Sequence, residues 1–168
     1  MHYVAASIRF FDRDYDAALE WYRKTLEIDP RFDQAHFDLA EIYRVQRRYA
    51  DAAAELDKTS STSPAYRKAA GAVLDAAAGR SADALRALHE LREETRRSYV
   101  APTMPARILI ALGEKAQAFP LLQKGCAERD SGLLNVTVMP IFDGIRSDQR
   151  FKKLLKCMHL DSGEVARK

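Results

Sequence analysis

Apolar positions recur along this chain at i, i+3, i+4 and i+7, the spacing of one helix face. His36, Leu39, Ala40 and Tyr43 follow it, and after Gln46-Arg47-Arg48 so do Tyr49, Ala52, Ala53 and Leu56. Ala18, Trp21, Tyr22 and Leu26 build the same kind of face earlier in the chain. The pattern predicts helices near 2–11, 15–28, 32–45, 49–60, 65–78, 82–97, 102–112 and 114–128. A short helix near 140–145 and a last one near 149–158 follow. Leu134-Asn135-Val136-Thr137-Val138 has the composition of a strand but no partner strand, so it is expected as an extended loop.

The pattern also repeats. A shift of 34 residues carries Tyr15 to Tyr49, Ala18 to Ala52 and Pro30 to Pro64, and it carries Gly79 to Gly113 and Ala84 to Ala118. The two halves are offset by two residues, because the link after Pro64 is short. Each unit reads as two helices. Small Ala at 18, 52, 84 and 118 lets paired helices approach closely. Pro30 and Pro64 end one repeat and open the next. Gly79 and Gly113 fall where a left-handed residue would reverse the chain, and Ser81 is placed to cap the following helix. Pro120 lies inside a predicted helix, where it should remove one backbone bond and bend the axis.

Leu39, Ala40, Tyr43, Arg47, Tyr49, Ala52 and Pro64, on a 34-residue period, resemble the tetratricopeptide-repeat family. The resemblance covers roughly residues 1–128; its first repeat fits from Arg13 onward, and the third and fourth are degenerate. It implies an all-α fold: a right-handed superhelix of about four antiparallel helix pairs. The repeats fall at about 1–30, 31–64, 65–98 and 99–128, followed by a loop at 129–139, capping helices at 140–160 and a disordered tail at 161–168. A second resemblance rests on Arg97-Ser98-Tyr99-Val100-Ala101-Pro102, Ala111-Leu112-Gly113-Glu114-Lys115 and Phe142 to Phe151. These stretches look like the repeat tails that follow winged-helix, nucleotide-cyclase or Ser/Thr kinase domains in bacteria, although Gln149 stands where Pro is usual.

The family resemblance implies a non-catalytic protein–protein interaction module that holds a peptide or partner protein in a concave groove lined by the first helices. The inward positions of those helices are Tyr3, Ser7, Gln34, Phe37, Asp38, Glu41, Arg44, Tyr66, Thr103 and Arg107. Phe37 and Tyr66 serve core packing as readily as ligand contact. Tyr3, Ser7 and Asp38 stand where a carboxylate-binding member of the family would carry Lys and Asn, which disfavours that ligand. The second resemblance implies an alternative, a regulatory or sensor segment of a larger bacterial transcription regulator, cyclase or kinase.

Composition changes little. Apolar residues reach 47%, enough for a packed core, and the formal charge of +3 is too small to indicate nucleic acid. The Lys/Arg clusters at 92–97 and 152–156 lack interleaved aromatics and read as solvated helix faces. No nucleophile–base, phosphate-loop or metalloprotease motif occurs, so no enzyme activity is expected. The four His are scattered: His36 is expected in a satisfied semi-core position, and His159 near Cys157 lacks the further ligands a metal needs. No cofactor or metal is expected. Asp148 is expected to cap the last helix and Asp143 to cap or end the short helix before it.

Cys126 and Cys157, on different predicted helices, are expected as two reduced thiols. The first residues lack the basic and apolar regions of a secretory signal, and no stretch offers the ~18 apolar residues of a membrane span. The chain is therefore expected in the cytoplasm. Met1 opens directly into the first helix, so the outer apolar surface there predicts either an upstream domain or a homodimer through the N-terminal helix pair.

Overall fold

The computed structural model describes residues 1–60 and 63–160; the tail expected at 161–168 lies outside the described residues. The described residues form α-helices and short 3-10 turns, with no strand among them. The architecture is all-α, built from successive helices joined by short turns. The chain divides into two compact units, Met1–Ala87 and Leu88–Lys168, and the division falls within one helix, α6 (Ser81–Glu94).

The first unit holds α1 (His2–Phe11), α2 (Tyr15–Ile28), α3 (Asp33–Val45), α4 (Tyr49–Asp57) and α5 (Pro64–Ala77). Ring contacts fix the direction of the first pair. His2 meets Trp21, Tyr3 meets Tyr22 and Phe10 meets Tyr15, so numbers rise on α1 as they fall on α2, and the helices are antiparallel. The second unit holds α7 (Thr103–Ala111), α8 (Lys115–Ala127), 3-10 turns at Ser131–Leu133 and Pro140–Ile145, and α9 (Gln149–Cys157). Ala18, Ala52, Ala84 and Ala118, the small residues of the repeat, are all buried.

One backbone device recurs at the helix ends. Arg13, Arg47, Gly79 and Gly113 all have φ between 60° and 82°, the left-handed region. In each case the next residue's N–H bonds back five positions: Asp14 to Arg9, Arg48 to Tyr43, Arg80 to Asp75 and Glu114 to Leu109. This is the Schellman closure of a helix C-terminus. Gly takes this conformation without strain, whereas Arg places its Cβ against a carbonyl at a cost of about 1 kcal/mol. Arg47 is exposed and its backbone bonds do not need its side chain. Arg47→Gly is therefore expected to stabilise the first unit by about 0.5–1 kcal/mol, less the extra chain entropy Gly brings to the unfolded state. A urea midpoint read by Trp21, the only tryptophan, checks it.

Three local expectations need correction. Ser81 is the first helical residue of α6, and the preceding Arg80 carbonyl accepts the Ala84 N–H, so Ser81 is not the cap. Residues 134–138 run as consecutive turns rather than extended chain, because Val136 is buried and its N–H bonds the Leu133 carbonyl. Cys126 and Cys157 lie on different helices as expected, but they are joined in a disulfide instead of standing as free thiols. Spacing alone did not show that α9 returns along α8 and brings the two Cα atoms within 6.4 Å.

Pro120 does lie inside α8, with its ring in solvent. Asp148 does cap α9, accepting the Arg150 N–H at 2.9 Å. Its carboxylate also takes the Arg150 guanidinium at 3.0 and 2.7 Å, which with the N–H bond holds its pKa down at about 2. That guanidinium stacks 4.3 Å from the Phe119 ring centre, tying α9 to α8. Asp143 sits within the 3-10 turn and pairs with Arg146. No helix among the described residues is long and apolar enough to cross a membrane.

Candidate functional site

The first helices of the first unit, α1, α3 and α5, bring eight of the expected groove residues together. α3 is the centre. Every residue from Ala35 to Tyr43 is buried, whereas the apolar spacing predicts one buried face. Four of its buried residues are polar or charged, and each finds a partner. Asp33 accepts the Ser60 N–H at 3.2 Å. His36, at 3% exposure, sets Nδ1 at 2.7 Å from Glu55 and Nε2 at 3.1 Å from the Pro30 carbonyl, the satisfied semi-core histidine expected. Asp38 is bonded from α1, α2 and α3, and Glu41 is paired with Arg44 of α3.

Asp38 is the most constrained of these. Tyr3 Oη donates to Asp38 Oδ2 at 3.0 Å, Tyr22 Oη donates to the same oxygen at 2.9 Å, and Gln34 Nε2 donates to Oδ1 at 3.2 Å. Burial pushes the Asp38 pKa up to about 6, although its three donors oppose the shift. Burial, with the Asp38 charge second, also pushes both phenols well above the ordinary tyrosine value. Ser7 Oγ donates to the Tyr3 carbonyl at 3.0 Å and lies 3.4 Å from Tyr22 Oη, which joins it to the same cluster.

Glu41 is 7% exposed and takes the Arg44 guanidinium in a two-pronged fork, Nε to Oε2 at 2.8 Å and Nη2 to Oε1 at 2.7 Å. Burial alone would lower the Arg44 pKa, but the Glu41 carboxylate outweighs it and the net shift is upward. Phe37 is buried edge-on against Tyr66 with ring centres 4.7 Å apart, and Tyr3 meets Phe32 at 5.0 Å. The eight residues thus sort into two sets. Phe37, Asp38 and Glu41 form a closed floor. Gln34 is exposed, and Tyr3, Ser7, Arg44 and Tyr66 are half-buried around it.

Thr103 and Arg107 lie on α7, in the second unit. Thr103 is 3% exposed, and its N–H donates to Asp130 Oδ2 at 2.9 Å. The other oxygen, Oδ1, accepts the Gly132 N–H at 2.8 Å, so one carboxylate caps α7 and closes the following turn. A Cβ on Gly132 would collide with Thr103 Oγ1 and come within 2.9 Å of Thr103 Cβ, so the turn takes only Gly there. Arg107 is half-buried, and its Nε has no hydrogen-bond partner among the described residues.

Sequence reasoning missed the Asp130 cap, although Asp130-Ser131-Gly132 is a recognisable Asx-turn signal. It also missed the Asp38 cluster, for which no local signal exists, since the donors come from three helices. Phe142, Ile145 and Phe151 are buried in the second unit. Among the described residues, no group of three or more His, Cys, Asp or Glu is placed to hold a metal ion.

A family model described as tetratricopeptide repeat matches residues 12–74. The match lies within the first unit and runs from the end of α1 through most of α5. No curated protein and no solved structure matches the chain. Tetratricopeptide repeats generally mediate protein–protein interaction, and that is the functional class the matched segment supports.

Proposed function

We propose that this protein is a non-catalytic interaction module and that the first unit binds an extended peptide or partner protein across α1, α3 and α5. The observation carrying this reading is the division of that face. A closed floor of Phe37, Asp38 and Glu41 holds Tyr3, Gln34, Arg44 and Tyr66 in fixed positions at the surface. Side chains held before binding lose less entropy when a ligand docks. Two half-exposed tyrosines beside an arginine and an amide suit a backbone with mixed side chains. The proposed face is made by the first unit alone; Thr103 and Arg107 lie on α7 in the second unit. Neither nucleic acid nor a membrane is a partner in this reading.

The test starts from peptides selected on the immobilised chain from a random library. Tyr66→Ala and Gln34→Ala are expected to weaken the selected peptides at least about tenfold, the loss typical of an interface anchor. Lys152→Ala, in the second unit, is expected to leave them unchanged. Peptides that bind both rim variants at full strength would remove the face from consideration.

Self-association through α1 is a further part of the proposal. Met1, Val4 and Ile8 follow helical spacing, and Val4 and Ile8 keep 61% and 56% of their surface in solvent. Ile8→Lys is expected to convert a dimer to a monomer in light scattering. A wild-type chain that stays monomeric at millimolar concentration would end this part of the reading. A cytoplasmic setting is also proposed, and it requires the Cys126–Cys157 bond to form and break with the redox state of that compartment.

A further inference from the structure

The second unit carries a bond for which peptide binding has no use. Cys126, near the end of α8, is joined to Cys157, the last residue of α9, across a sequence separation of 31. Cys157 is exposed and Cys126 half-buried, so Cys157 is the more accessible residue of the pair. The solvent face of α9 is Gln149, Lys152, Lys153 and Lys156, and none of the three lysines is ion-paired among the described residues. Lys153 sits one helical turn before Cys157 and Lys156 adjoins it. Positive charge around Cys157 draws anionic thiols toward its sulfur.

We propose that Cys126–Cys157 is a redox-responsive clasp, opened by a small anionic thiol attacking Cys157, which frees α9 from α8. The thiolate forms a bond to Cys157 Sγ as the Cys126–Cys157 bond breaks. The electron pair leaves on Cys126 Sγ, which takes a proton from water. A second thiolate attacks the small-molecule sulfur of the mixed disulfide, releasing the small-molecule disulfide and the Cys157 thiolate. The protein gains two electrons and two small thiols are oxidised.

Opening matters because α9 has little else to hold it. It is nine residues long, too short to persist as an isolated helix. Its buried residues are Phe151 and Leu154, and Arg150 stacks on Phe119. A cross-link closing a loop of this length suppresses opening by about two to three orders of magnitude, set by the loop-closure entropy it removes.

Amide hydrogen exchange of the full chain in oxidised and in reduced glutathione tests the clasp. Exchange across α9 is expected to speed up by about two orders of magnitude on reduction, with the amides of α1 to α4 unchanged. The Cys126→Ser, Cys157→Ser double variant is expected to match the reduced chain in both buffers. Brief treatment of the oxidised chain with glutathione, then alkylation and peptide mass analysis, is expected to find the adduct on Cys157. An adduct on Cys126 instead would overturn the site of attack. Exchange across α9 that differs by less than about twofold between the buffers would overturn the clasp itself. Wild-type reduction carries that test even where the double variant fails to fold.

Discussion

Asp38→Asn is expected to stabilise the first unit by about 3 kcal/mol at pH 7 and by almost nothing at pH 4. The folded-state pKa of Asp38 is about 6, raised from the ordinary 3.8 by burial. A carboxyl group raised in this way binds its proton more tightly when folded. Its contribution to stability is therefore complete below about pH 4 and is lost as pH rises toward 6. A rise of that size corresponds to about 3 kcal/mol, the cost of keeping an ionised carboxylate in that position at neutral pH. Asparagine keeps the geometry without the charge. Its carbonyl oxygen can accept from both Tyr3 and Tyr22, and its amide can face Gln34 once that side chain turns its own oxygen inward. Urea unfolding followed by Trp21 fluorescence reads the first unit directly, because the single tryptophan lies on α2. A difference between variant and wild type that stays flat from pH 4 to pH 7 would mean Asp38 is not the strained group. Asp38→Ala, by contrast, strands both phenols and should destabilise at every pH.

Asp130→Ala is expected to cost the second unit about 3 kcal/mol. The substitution removes the acceptor for the Thr103 N–H at the start of α7 and for the Gly132 N–H in the turn after α8. The buried Thr103 N–H left without an acceptor costs about 1–3 kcal/mol, and loss of the bond to the more exposed Gly132 N–H adds about 1 kcal/mol. Asp130 is 8% exposed, so water does not easily take its place. Loss of amide protection in α7 and α8, with the Trp21 transition unmoved, is the expected result. Asp130→Asn retains one acceptor oxygen and should fall between wild type and alanine. Equal protection in all three chains would show that the carboxylate is not the cap.

Most of the helix map was legible because it depends on local chemistry. Apolar spacing placed α1 and α2 at their observed ends, and the 34-residue period found the two glycines that close α5 and α7 in left-handed geometry. The same period runs from Arg13 to Arg47, but Arg gives no signal of positive φ, so those turns were found by position alone. Apart from the Ser81 cap and the turns at 134–138, the errors came where partners are distant. α3 reads as an ordinary amphipathic helix, and only assembled packing reveals that Asp33, His36, Asp38 and Glu41 are all enclosed. The expected groove positions Phe37 and Asp38 of α3 are covered in part by Tyr66 from α5 and Tyr3 from α1. The disulfide was missed for the same reason, since nothing near Cys126 announces that α9 returns to it.

The proposal of a binding face on the first unit is tested most directly by nuclear magnetic resonance. The chain is isotopically labelled and titrated with a peptide selected from a random library. A peptide seated across α1, α3 and α5 produces shift changes at Tyr3, Gln34, Arg44 and Tyr66, with the buried amides of α3 disturbed less and those of α8 and α9 unmoved. Shift changes that cluster on α2 and α4, or on the lysine face of α9, would contradict it.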